Sequence, residues 1–148
     1  MPATPDTTEH ETILAFDFGL RRIGVAVGQT VTRSASPAGV IPNSSAGPDW
    51  QRIGTLIKEW GAARLVVGMP LNADGSPSEI SAQVDAFIKD LMRFSLPVES
   101  TDERYSSSEA RQMLVRKRKR GVRGKIGKET VDAAAAALIA ERWLKDER

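Results

Sequence analysis

Leu65, Val66 and Val67 form an unbroken apolar run between two stretches of helical periodicity, Ile53/Leu56/Ile57/Trp60 before it and Ile80/Val84/Phe87/Ile88/Leu91 after it. A strand that shows apolar side chains to both sides must be covered on both, so Arg64 to Met69 is expected at the middle of a sheet lying between helices. Ile13 to Phe18 has the same character and breaks at Gly19. A tight Leu20-Arg21-Arg22 turn then leads into Ile23 to Gly28, which makes the two runs a hairpin. A third extended stretch around Pro37 to Ile41 continues the meander, and the Asn-, Ser- and Gly-rich residues 42–48 read as a loop. Asp49 is placed to cap a helix that ends at Gly61, and Ser78 with Glu79 to open a second one. Pro97 to Thr101 reads as a short strand. Ser106 with Glu109 has the form of a capping box for a helix through Leu114, and a last helix runs from about Lys128 to Lys145. Three meander strands followed by alternating helices and strands predict an α/β fold with helices on both faces. Its ligand crevice should lie beyond the carboxyl ends of the parallel strands.

Three acids fall at that end: Asp17 after Ile13-Leu14-Ala15-Phe16, Glu103 after the Pro97 to Thr101 strand, and Asp132 in the first turn of the last helix. Asp132 is the most telling, because Ala136, Ile139 and Trp143 lie four, seven and eleven residues on and form an apolar stripe with it. It should therefore face the sheet, and Ala133 to Ala137 should let its helix lie close. Each acid also has a plainer explanation. Asp132 could only complement the helix dipole, Asp17 could bind its own turn backbone with Gly19, and Glu103 could pair with Arg104. Together they point elsewhere, since close carboxylates repel one another and divalent cations stabilise all of them as anions. Two such ions about 3.5–4 Å apart suit phosphodiester cleavage.

Composition narrows the metal and the substrate. The chain of 148 residues has no cysteine and a single histidine, His10, so thiolate sites and a cysteine nucleophile are excluded and the ligands must be oxygen. That favours Mg²⁺ or Mn²⁺, one or two ions, with Ca²⁺ allowed by ligand type. Formal charge is only +2, yet residues 116–128 carry eight basic groups and no acid: Arg116, Lys117, Arg118, Lys119, Arg120, Arg123, Lys125 and Lys128. The remaining 13 basic and 19 acidic residues make a body of about −6. A concentrated basic segment on an acidic body is an address for a polyanion, although such runs are also commonly solvated helix ends. Glycines 121, 124 and 127 suggest a loop there, without aromatic residues for base stacking. Asn72 more simply shapes the Asn72 to Gly75 turn, and Ser106 to Ser108 lack a histidine base. Residues 1–12 read as a flexible polar leader with no apolar targeting region, and 13–148 as one domain. No stretch reaches membrane-spanning length, so a cytoplasmic protein, monomeric or weakly dimeric, is expected.

Asp17-Phe18-Gly19 with Arg22 to Gly28, Val67 to Gly75, Asp102 to Ser106 and Val131 to Ala135 occur in this order, and the chain resembles the YqgF family through them, over nearly all of Thr12 to Leu144. Members of that family are described as pre-16S rRNA nucleases and as Holliday-junction-resolvase-like enzymes of ribonuclease H fold. The resemblance implies a three-layer fold whose mixed five-stranded sheet runs 3-2-1-4-5 with strand 2 antiparallel. It also implies catalytic, metal-binding acids at Asp17, Glu103 and Asp132. The implied role is processing of the 5′ end of the 16S rRNA precursor, with the ribosome or its small-subunit precursor as a further partner. Branched DNA cleavage, as by a Holliday-junction resolvase, is the alternative substrate reading. Relatives of this fold usually carry an acid on the fourth strand, where Val66-Val67-Gly68-Met69 has none, so Glu103 must substitute. A non-catalytic RNA-binding assembly factor and an actin-like ATPase are the competing classes, and the short chain argues against the second.

Overall fold

The computed structural model describes residues 11–70, 74, 76, 78–102 and 128–147. Five strands, β1 (Thr12–Asp17), β2 (Arg22–Gln29), β3 (Ser34–Pro42), β4 (Arg64–Met69) and β5 (Val98–Asp102), form one sheet in the order β3-β2-β1-β4-β5. β1 pairs antiparallel with β2 and parallel with β4, β2 antiparallel with β3, and β4 parallel with β5. This is the mixed sheet that the resemblance implied. Among the described residues three α-helices accompany it, α1 (Trp50–Trp60), α2 (Ser81–Leu91) and α3 (Lys128–Glu147), with a short 3-10 turn at Met92–Phe94 after α2.

Alternation along β1 explains how the helices divide between the faces. Leu14 and Phe16 point into the larger core with Ile53, Leu56, Val84, Phe87 and Leu91 of α1 and α2. Ile13 and Ala15 point the other way, against Ile139, Ala140, Trp143 and Leu144 of α3. Val66 and Val67 are fully buried on opposite faces, as a central strand requires.

Local chemistry accounts for most element ends. Asp49 Oδ1 accepts from the Arg52 amide at 3.1 Å, and Gly61 closes α1 in the left-handed conformation with φ 60°. β3 carries Pro37 at the sheet edge, where a missing donor is tolerated, and a bulge leaves Ala38 between the partners of Val25 and Ala26.

Several expectations are revised. β3 is longer than residues 37–41. Trp60 was expected on the buried face of α1 but is 45% exposed, because the helix stops there and Gly61 turns the chain away. α2 opens at Ser81 and not at Ser78: the Ser81 hydroxyl accepts from the Ser78 amide and donates to the Pro70 carbonyl, tying the helix start to the end of β4. Strand β1 includes Thr12, and Glu11 exchanges hydrogen bonds with Thr30. Among the described residues no helix is long and apolar enough to cross a membrane. The expected helix from Ser106 to Leu114, Asn72 and the glycines at 121, 124 and 127 lie outside the described residues.

Candidate active site at the strand ends

Asp17 is the last residue of β1 and continues the Ile13/Ala15 side of the strand, so alternation directs it to the α3 face. Directly across the ladder stands Gly24. A Cβ built on Gly24 would lie 2.1 Å from the Asp132 carbonyl oxygen. The backbone of α3 at Asp132, near the start of the helix, therefore rests on the sheet at the residue opposite Asp17, and only glycine permits that approach. Paired residues of an antiparallel ladder have Cα atoms about 4.5–5.5 Å apart, so Asp17 and Asp132 are neighbours at one edge, although 115 positions separate them in sequence.

The rest of the interface follows the same rule. Ala26 packs on Ala136 and Ala137, and Gly28 lies against Ile13 and Leu144. Positions 22, 24, 26 and 28 of β2 share this face, which brings Arg22 to the same edge. Its Nε donates to Asp132 Oδ2 at 2.9 Å, and both side chains are about 30% exposed. Asp132 Oδ1 has no protein donor among the described residues. The turn after Asp17 is held from outside: Asn43 Nδ2 donates to the Gly19 carbonyl at 2.7 Å, and the Asn43 amide donates to the Arg21 carbonyl. Gly19 itself has no room for a side chain, because a Cβ would stand 2.5 Å from the Arg22 carbonyl oxygen.

β4 contributes no acid here, in keeping with its sequence; Gly68 and Met69 pair with Thr101 and Asp102. Glu103, Arg116, Lys117, Arg118, Lys119, Arg120, Arg123 and Lys125 lie outside the described residues; Lys128 opens α3, its side chain undescribed. Among the described residues no group of three or more His, Cys, Asp or Glu side chains is assembled, and the edge presents the pair Asp17 and Asp132. Sequence reasoning missed Arg22, Gly24 and Asn43 as parts of the site. The period-2 spacing of Arg22, Gly24 and Ala26 was the available signal for the first two. Asn43, in a loop, left none.

A second ionic cluster lies at the opposite end of the same face. Arg64 Nε donates to Glu11 Oε1 at 3.2 Å and Nη1 to Glu99, whose other oxygen accepts from the Trp143 indole at 2.9 Å. The Glu11 hydrogen bond is the main cause raising the Arg64 pKa above its ordinary value, opposed by burial. On the other side of the sheet, Phe18, Trp50 and Phe87 line a largely apolar cleft of about 550 Å³.

The family profile described as RuvX, Holliday junction resolvase, matches residues 11–146. A protein of Azotobacter vinelandii named "Putative pre-16S rRNA nuclease" is 44% identical over 135 residues, covering 90% of this chain and 93% of its own. One of the same name from Pseudomonas paraeruginosa is 46% identical over 136 residues, covering 90% and 92%. Among solved structures, Thermus thermophilus RuvC in complex with a Holliday junction superposes with a TM-score of 0.55 at 16% identity, covering 93% of this chain and 98% of that one. The yeast mitochondrial Holliday junction resolvase Ydc2 gives 0.52 at 11% identity, covering 92% and 78%. At such identities these likenesses show the fold, the ribonuclease H-like architecture of the RuvC resolvases.

Proposed function

This chain belongs to the RuvX Holliday junction resolvase family, and we propose that it is a metal-dependent endonuclease acting on structured nucleic acid, with the 5′ end of precursor 16S rRNA as its substrate. The observation that carries the reading is the backbone contact of α3 on Gly24, which brings Asp132 to the strand end where Asp17 emerges. Two aspartates from distant parts of the chain, half-buried at the rim of an apolar sheet, are a poor arrangement for stability and a good one for a hard cation. The donors are all oxygen, and Asp132 keeps one oxygen clear of Arg22, so the pair fits Mg²⁺ or Mn²⁺. Asp17 and Asp132 would hold the cation, with Glu103 completing the set. When bound, one or two such ions activate water and stabilise the leaving oxygen in phosphodiester hydrolysis. The protein's part is to hold the two carboxylates in place by main-chain packing, and to hold the substrate's phosphates through the basic segment 116–128. Binding through that segment should weaken steeply with salt.

Ribosomal RNA is favoured as substrate by the names of the relatives at 44–46% identity. Junction DNA is favoured by the family's own description. A cytoplasmic protein that meets the small-subunit precursor fits the first. The deciding experiment is cleavage of precursor 16S rRNA and of a four-way DNA junction side by side with Mn²⁺, using Asp17→Asn as control. Cleavage of the RNA is expected to fall about 1,000-fold in the variant, the several kcal/mol that a bound metal contributes, with RNA affinity largely kept. Undiminished cleavage by Asp17→Asn would remove the proposed centre, and cutting of the junction alone would replace the substrate.

A further inference from the structure

We propose that Arg22 grips the substrate's phosphodiester, anchored through Nε on Asp132 and presenting its terminal amino groups to a non-bridging phosphate oxygen. The inference rests on the nuclease reading of this edge and adds to it a residue that neither the charge pattern nor the acidic trio points to.

Two arginines on one face of the sheet differ in how their guanidinium groups are used. Arg64 and Arg22 are both partly buried, and each donates its Nε to a carboxylate. Arg64 is saturated. Both Glu11 oxygens accept from it, Nη1 bonds Glu99, and its guanidinium carbon lies 5.7 Å from the centre of the Trp143 ring. Such a cation is a structural clamp with little left to offer. Arg22 spends Nε on Asp132, and its Nη1 and Nη2 meet no acceptor among the described residues. A guanidinium has five N–H donors in a rigid fork, so four remain. Its side chain is 30% exposed and stands at the edge that holds Asp17 and Asp132, so what separates it from Arg64 is the absence of acceptors at its terminal nitrogens among the described residues.

The geometry suits an anion better than a second carboxylate partner. Anchoring through Nε fixes the guanidinium plane in advance, so a phosphate oxygen meets donors already oriented. A lysine ammonium could bridge both anions only from one freely rotating nitrogen, without a plane fixed in advance. Held in this way, Arg22 would also place positive charge where negative charge grows on the phosphorus oxygens during cleavage.

The test separates a phosphate contact from a mere counterion of Asp132. In the cleavage-silent Asp17→Asn chain, binding of a labelled RNA bearing the 5′ end of precursor 16S rRNA is measured over a salt series, with and without Arg22→Gln. Losing one phosphate contact should flatten the slope of log affinity against log salt by about 0.7–0.9 and weaken binding about tenfold at low salt. An unchanged slope in a folded Arg22→Gln chain would overturn the proposal, leaving Arg22 as a positioning residue for Asp132. Should the glutamine variant fail to fold, nitrogen-15 spectra of the chain with native Arg22 decide. Its Nη protons are expected to exchange more slowly once RNA is added, and no change would overturn the proposal as firmly. These readouts do not require cleavage, so they stand apart from the Asp17→Asn control, whose own failure would be seen as retained cutting.

Discussion

The two faces of the sheet differ most along β2, where one sends large side chains and the other small ones. Towards α1 and α2 the strands send Leu14, Phe16, Ile23 and Val25, and Phe87 meets Phe16, Phe18 and Trp50 with ring centres 5.1–5.7 Å apart. Towards α3 the same strands send Ala15, Gly24, Ala26 and Gly28, which meet Ala133, Ala136, Ala137 and Ala140, and larger side chains enter with Ile13, Val66, Ile139, Trp143 and Leu144. The bulky face removes far more apolar area from water per residue and is the main source of stability. On the small face a helix is brought to backbone contact, so the position of Asp132 is set by main chain against main chain and does not depend on how long side chains pack. One face keeps the protein folded, and the other fixes the distance between two carboxylates.

That division of labour can be broken from either side. Phe87→Ala should cost about 3–5 kcal/mol, seen as a large fall in the urea midpoint, while cleavage per folded molecule stays at the wild-type level. A parallel loss of turnover in the folded fraction would show that the faces are not separable. Gly24→Ala tests the small face. Its methyl would meet the Asp132 carbonyl at 2.1 Å, so α3 must move, at about 1–3 kcal/mol of stability. Because a displacement of about 1 Å can cost ~100-fold in rate, turnover should drop by that order in protein that still melts cooperatively. Turnover unchanged by Gly24→Ala would mean that the close approach has no part in the chemistry. The smallest effect is expected at Asp49→Ala, which removes the α1 cap on the bulky side: about 1 kcal/mol in thermal unfolding and no change in cleavage well below the melt.

Much of this was legible in the chain. The runs at residues 13–16 and 65–67 announced central strands, because only burial on both faces makes an uninterrupted apolar run economical for a strand. The Ala136/Ile139/Trp143 stripe correctly turned Asp132 towards the sheet. Trp60 misled for a simple reason: helical periodicity says which side a residue is on, but not whether the layer beneath extends that far. By its local spacing Arg22 belongs to the Leu20-Arg21-Arg22 turn. Its partner lies 110 residues away, and nothing in the local spacing names that partner.

The sequence by itself determined the kind of sheet and the three candidate acids, and without cysteine it restricts any bound cation to mainly oxygen ligands, since each follows from residue type and short-range pattern. Only the tertiary structure decided that Gly24 is the seat of α3, that Arg22 anchors on Asp132 with its fork open, and that Arg64 is closed off by Glu11 and Glu99. Those outcomes depend on ångström-scale approach between segments distant in the chain, a quantity that periodicity and propensity do not carry.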